Sequence, residues 1–247
     1  GGLQGLDEGS VTMTADVSDA AGNAADQVTS SAFTYDVTAP TVNSAAMSDS
    51  ALKSGETATL TITFSEAVTA FANADLTIPN GSLTAVSSAD GGTTWTATYT
   101  PDADVEDTSN VISIATSYTD LAGNAGAAGQ TANFEIDTNT PSISAIATSA
   151  FSWGDYLNAT EDNNDGTVSI TTSGVENDQT VTITLNGQTY TNTVTDNATT
   201  VTITAGGLQG LDEGSVTMTA DVSDAAGNAA DQVTSSAFTY DVTAPTV

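Results

Sequence analysis

Along most of this chain Thr and Ser alternate with apolar residues, the period of two expected of a strand with one buried and one wet face. In "SVTMTADVSD" Val216, Met218, Ala220 and Val222 take one face, and Thr217, Thr219, Asp221 and Ser223 the other. "TLTITFSE" places Leu60, Ile62 and Phe64 together, and "TTWTATYT" does the same for Trp95, Ala97 and Tyr99. "TVTITLNG" aligns Val181, Ile183 and Leu185, then turns at Asn186-Gly187, a strong two-residue hairpin signal. No stretch carries the period of an amphipathic helix. The predicted fold class is all-β.

From Pro141 onward the pattern predicts seven strands, near 142–148, 167–174, 180–185, 188–195, 199–204, 215–223 and 232–242. Seven short strands in about a hundred residues suit an immunoglobulin-like sandwich. Pro40 to Thr140 reads as a second sandwich in different wording, so two related domains stand in tandem, end to end. Gly1–Val42 recurs letter for letter as Gly206–Val247. Residues 1–39 are therefore expected to be the C-terminal part of a split repeat, identical to 206–244, followed by domains at 40–139 and 140–247. Such verbatim duplication is the mark of a repeat array whose units contact mainly their neighbours.

The charge narrows the partners. The chain holds 31 acidic residues against one base, Lys53, and neither Arg nor His. A net charge of −30 excludes nucleic acid and anionic membrane surfaces, which need a basic face. No apolar run is long enough for membrane insertion. With no Cys, disulfides and thiolate metal sites are absent. No His, no Cys nucleophile and no phosphate loop accompany the carboxylates, so an enzyme is not expected. "AGGLQGLDEG" has the glycines of a phosphate cradle without its strand-to-helix context.

"VSDAAGNAA" with "TYDVTAPTV", and "YTDLAGNAG" with "FEIDTNTPSI", resemble the ends of bacterial Ig-like repeats in giant RTX-type, biofilm-associated adhesins of Gram-negative bacteria. "TITFSEAVTAFANADLTI" with "DGGTTWTATYTPDADVED" resembles a second repeat type that alternates with the first. The resemblance covers essentially the whole chain. It implies a secreted, extracellular chain at the bacterial cell surface, monomeric within its array and partnered by neighbouring repeats. It further implies calcium-stiffened extender domains that hold a distal binding region away from the cell.

The acids can be placed by parity. If the strands alternate direction, the loops after the second, fourth and sixth strands share one end of the sandwich. In the second domain that end carries Glu176, Asp178, Asp224 and Asn228, and in the first Glu66, Asp75, Asp120 and Asn124. Asp36, Asp137 and Asp241 leave their strands on the face opposite Tyr35, Ile136 and Tyr240, each at an exit toward a following domain. Carboxylates thus converge at junctions, and an oxygen-only donor set suits Ca²⁺, which takes six to eight such ligands. Carboxylates within about 5 Å of one another, left without a cation, repel by roughly 1 kcal/mol or more per pair. The loop "SWGDYLNATEDNNDG" at the other end adds Asp155, Glu161, Asp162 and Asp165 as candidate ligands. The plainer reading takes each acid as a solvated turn residue, "DAAGN" being a tight turn with Gly227 or Asn228 at positive φ. A different function also fits the loop: Trp153, Tyr156 and Asp155 could grip a sugar or protein, making the chain an adhesive binding module. Against it, the aromatics equally suit packing over the end of the sandwich, and a spacer is repeated verbatim where a binding tip is unique.

Overall fold

The computed structural model describes residues 5–247. Its described residues divide into two compact units. The first holds the chain through Ser50, Thr57–Thr100 and Ser109–Phe134; the second holds Ala51–Glu56, Pro101–Thr108 and Glu135–Val247. Both are built from short strands, as the alternation predicts.

In the first unit the alternating stretches form one sheet, ordered Gly81–Leu83, Thr94–Pro101, Ala58–Phe64, Val42–Met47. Ala58, Leu60, Ile62 and Phe64 are all buried, and across the antiparallel ladder Ala97 faces Leu60 while Tyr99 faces Ala58. Phe64, Phe71 and Tyr118 close the core edge-on, with ring centroids 4.8–5.7 Å apart. The Tyr118 hydroxyl donates to the Ala127 carbonyl at 2.6 Å, so its buried polar end is satisfied. This ring explains the second glycine of "AGNAG": a Cβ on Gly126 would sit 2.1 Å from it.

In the second unit Gly166–Ser173 pairs with Ala198–Ile203, and Thr180–Leu185 with Gln188–Thr193. The hairpin between the latter two turns at Asn186 and Gly187, with φ +48° and +75°, as a type I′ turn requires. Val168, Ile170, Val181, Ile183, Leu185, Val201 and Ile203 lie in one buried cluster with Met218, Ala220, Phe238 and Tyr240.

Three features depart from the sequence expectations. Strand directions do not simply alternate: Glu135–Asp137 runs parallel to Ala51–Lys53, and Tyr156–Leu157 parallel to Phe238–Tyr240. The first strand stops at Ile143 and a 3-10 turn follows at Thr148–Ala150. A short α-helix, Ala205–Gln209, occupies the glycine-rich stretch. Two glycines make that helix intrinsically poor. It is held by burial of Leu208, by the Thr204 hydroxyl capping the Gly207 N–H, and by Asp165 accepting the Ala205 N–H at 2.8 Å.

The duplicated segment keeps its own geometry in both copies. Gly9–Val11 pairs with Phe33–Tyr35 in the register by which Gly214–Val216 pairs with Phe238–Tyr240. Among the described residues no helix is long and apolar enough to cross a membrane.

Candidate cation site

The site is assembled from the turn "DxAGN". In "TDLAGN" the Asp120 carboxylate accepts the N–H groups of Gly123 (2.7 Å) and Asn124 (2.9 Å), and the Asn124 side-chain amide at 2.7 Å. Gly123 sits at φ +97°, the left-handed conformation that closes the turn. The second amide proton of Asn124 reaches the backbone carbonyl of Asp36 at 3.3 Å. This draws the end of one strand against the turn. Asp36 then turns on itself by accepting the Thr38 N–H at 3.1 Å.

That arrangement brings three carboxylates together. One oxygen from each of Asp36, Glu66 and Asp120 lies within 4.8 Å of the other two. Asp120 is buried, Asp36 and Glu66 half-buried. Burial pushes Asp120 upward, but the Asn124 and loop N–H groups outweigh it and keep the acid below its ordinary range, hence charged. Glu66 is pushed up, first by burial and then by the charges of Asp36, Asp120 and Glu8. Glu66 makes no hydrogen bond among the described residues. The first unit contains no Lys, Arg or His to neutralise the group. Three close carboxylates with an undersatisfied member fit a hard cation such as Ca²⁺.

The other predicted ligands fare unequally. Asp75 is not in the trio; its carboxylate accepts the Ala72 N–H at 2.8 Å and the Ser117 hydroxyl. In the second unit the same turn recurs, with Asp224 accepting the Asn228 N–H at 2.7 Å and its side-chain amide at 2.9 Å. Asn228 donates its other proton to the Asp137 carbonyl at 3.0 Å, and its amide oxygen accepts the Ser54 N–H at 2.7 Å. Glu176 accepts the Ala225 N–H at 2.8 Å. Asp137 is raised by burial and then by Asp224, with smaller pushes from Glu106 and Glu176, against the opposing Asn139 N–H. Glu106, Asp137, Glu176 and Asp224 line one cleft with Asn139, yet do not reach the spacing of the first trio. Lys53, the lone base, lines an adjoining cleft with Glu106, Asp137 and Glu176.

The remaining candidates disperse. Asp178, at φ +70°, is exposed and donates its N–H to the Val194 carbonyl. Asp155 accepts the Thr148 hydroxyl, Glu161 the Asn158 N–H, and Asp165 the Ala205 N–H. Asp162 is buried and accepts the Tyr240 hydroxyl at 2.9 Å. Asp241 is exposed and repeats the turn of Asp36, accepting the Thr243 N–H. Sequence reasoning missed Glu8 and Glu213, which cap Val37 and Val242 from 29 residues away; no local pattern marks that partnership. Trp153 is buried, stacked on Phe151 at 5.3 Å, so Tyr156 is the exposed ring of that loop.

Residues 36–136 match the family described as the bacterial Ig-like domain. No curated protein sequence matches the chain. The similar solved structures include three from bacterial adhesins. One is of a Ca²⁺-stabilized adhesin that helps an Antarctic bacterium reach out and bind ice, at 25% identity over 96% of this chain with a TM-score of 0.44. A second, of a 1.5-MDa bacterial ice-binding adhesin, shares 24% identity over 98% of this chain, with a TM-score of 0.44 and 77% of that chain covered. A bacterial immunoglobulin-like domain from the M. primoryensis ice-binding adhesin shares 32% identity over 42% of this chain and 97% of its own, with a TM-score of 0.30. The chain spans 58% of the first of these structures.

Proposed function

We propose, from the match of residues 36–136 to the bacterial Ig-like domain family and from the site geometry, that this chain is a Ca²⁺-rigidified spacer of a cell-surface adhesin. In this reading residues 1–39 are the C-terminal part of a split repeat and 40–139 and 140–247 the repeats that follow it, extracellular and partnered by their neighbours. The carrying observation is the trio Asp36, Glu66 and Asp120. Asp36 ends one repeat, whereas Glu66 and Asp120 belong to loops of the next. A cation bound by all three ties exit strand and loops into one piece; with the trio vacant, their repulsion loosens the same joint.

The chemistry suits the location. Extracellular calcium modules are tuned to Kd values of roughly 10⁻⁴–10⁻³ M. Such a joint fills outside the cell and empties inside it. Binding to the folded state alone adds about 2.7 kcal/mol at a hundred times the Kd. The verbatim duplication also supports a spacer over a binding tip, and the burial of Trp153 removes one of the two rings that a sugar-gripping loop would use. The role is structural, and no catalytic group is assigned.

The test is a calorimetric calcium titration of the chain and of Asp120→Ala, paired with small-angle scattering with and without chelator. The reading expects a site lost in the variant, and a longer, stiffer particle with a higher Tm in calcium. An unchanged maximum dimension and an unchanged Tm would sink it.

A further inference from the structure

The single base of the chain lines one cleft of the second unit with Glu106, Glu135, Asp137 and Glu176, and the bonds around it fix where it points. Ala51–Lys53 lies parallel to Glu135–Asp137, with Leu52 opposite Ile136 and Lys53 opposite Asp137. Leu52 and Ile136 are buried, so Lys53 and Asp137 share the outward face of the pair. The root of the side chain is pinned. The Glu56 carboxylate accepts the Lys53 N–H at 3.1 Å, and the Lys53 carbonyl takes the Glu56 N–H at 3.1 Å, around Gly55 at φ +79°. Asn228 accepts the next N–H, that of Ser54, at 2.7 Å. The far end is placed as well. A Cβ on Gly227 would lie 3.2 Å from Lys53 Nζ and 3.8 Å from its Cδ, so the stem crosses the turn "DAAGN" where the glycine leaves it room.

The sequence alone puts a calcium joint at these acids, with Asp137, Glu176, Asp224 and Asn228 as ligands. Their arrangement does not fit one. Asp224 is committed to the Asn228 N–H and side-chain amide, Glu176 accepts the Ala225 N–H, and the Asn228 oxygen accepts the Ser54 N–H. No three carboxylates of this cleft converge to the 4.8 Å that unites Asp36, Glu66 and Asp120. Lys53 forms no direct ion pair among the described residues, so its ammonium acts on the acids of the cleft jointly.

We propose that Lys53 is the resident cation of this cleft: its ammonium offsets Glu106, Asp137 and Glu176 and excludes a divalent ion from them. The loop Lys53–Glu56 and the turn Asp224–Asn228 are then held together without calcium. A tethered ammonium needs no uptake from the medium, and a divalent ion entering beside it would meet a like charge at close range. The inference stands apart from the calcium role proposed for the Asp36 trio, whose residues it does not use.

The experiment compares the full chain with Lys53→Met, which keeps the length of the stem and removes the charge, and with Lys53→Arg, which keeps the charge. Amide exchange is followed at Ser54 and Ala225, in chelator and in millimolar calcium. In the wild type each amide should exchange at one rate in both conditions. In Lys53→Met both should exchange about tenfold faster in chelator and recover in calcium, because the cleft has gained the net negative charge that a divalent ion requires. Lys53→Arg should match the wild type, and Ile183 in the core should exchange alike in all three. Wild-type amides slowed by calcium would overturn the exclusion. Lys53→Met amides no faster than wild type in chelator, or faster and not restored by calcium, would overturn the ammonium as resident cation. Gly123 and Asn124 report the Asp36 trio in the same spectra: a missing calcium response there counts against the spacer reading and leaves the comparison in chelator intact.

Discussion

The "AGN" asparagine occurs three times, at Asn23, Asn124 and Asn228, and replacing each by alanine should cost three different amounts. All three make the same local contacts, the backbone N–H and side-chain amide bonding the preceding Asp at 2.7–2.9 Å. Only the surroundings differ. Asn228 is buried, with its second amide proton on the Asp137 carbonyl and its oxygen on the Ser54 N–H. Asn124 is half-buried and holds the Asp36 carbonyl at a longer 3.3 Å. Asn23 is exposed. A typical hydrogen bond contributes about 1 kcal/mol net, and a buried group stripped of its partner costs about 1–3 kcal/mol. Asn228→Ala removes three side-chain bonds and should cost about 3 kcal/mol or more. Asn124→Ala should cost about 1.5 kcal/mol, and Asn23→Ala about 0.5 kcal/mol or less. For units of about a hundred residues, the first figure corresponds to a Tm drop of about 12 °C or more. The assay is thermal unfolding in chelator, which keeps metal out of the comparison, with amide exchange at Ser54 as a local readout. Equal losses at the three sites, or Ser54 exchange unmoved by Asn228→Ala, would refute the reasoning that the motif acts as a clamp.

Three further outcomes follow from named contacts. Glu66→Gln should raise the Tm in chelator, by removing one charge from the trio, and lower it relative to wild type in calcium, by removing a ligand; melting curves in both conditions check the crossover. Asp90 is held down to about 2 by the Thr94 N–H and hydroxyl, then by the Ser88 hydroxyl. Its stabilisation is therefore complete above the ordinary value near 3.8 and lost as pH falls through about 2, so the Tm gap between wild type and Asp90→Asn should close over that window. Gly126→Ala drives a methyl into the buried Tyr118 ring and should cost about 1–3 kcal/mol in denaturant titration.

The strands most legible in the sequence are those whose pattern is local. The Thr180–Leu185 and Gln188–Thr193 hairpin follows from alternation plus Asn-Gly, and Gly166–Ser173 and Ala198–Ile203 lie within one residue of expectation at each end. Tyr156–Leu157 and Ala51–Lys53 were not legible, since strands of two or three residues carry no period and owe their pairing to distant partners. The helix at Ala205–Gln209 was hidden because Leu208 burial overrides the propensity of its glycines. At the site, the sequence expectation grouped Asp36, Glu66, Asp75 and Asp120 at one junction, and one oxygen from each of Asp36, Glu66 and Asp120 lies within 4.8 Å of the other two. It did not separate Asp75, whose carboxylate caps its own 3-10 turn. Nor did it foresee Asn124 as a donor to carbonyl and carboxylate, because an Asn side chain reads the same in sequence whether it gives or receives.

The two verbatim copies also separate what specifies this backbone from what stabilises it. Glu8 caps Val37 and Thr38 as Glu213 caps Val242 and Thr243. Gln27 grips Asp16 as Gln232 grips Asp221, and Ser30 receives the Met13 N–H as Ser235 receives that of Met218. These bonds recur in both copies, although Met13 and Val17 are exposed where Met218 and Val222 are buried, so polar side chains within the segment itself mark the shared register. Burial of Met218, Phe238 and Tyr240 then adds the free energy that an isolated pair of strands lacks. The same division bears on the charge of −30. Asp19, Asp90, Asp120, Asp224, Glu8 and Glu213 each accept backbone N–H groups, working as turn and strand-end acceptors in a chain without disulfides. Acid content is therefore a poor count of cation ligands here. What distinguishes Glu66 is that it sits beside the carboxylates of Asp36 and Asp120 with no hydrogen-bond donor among the described residues, a position that a bound cation would satisfy.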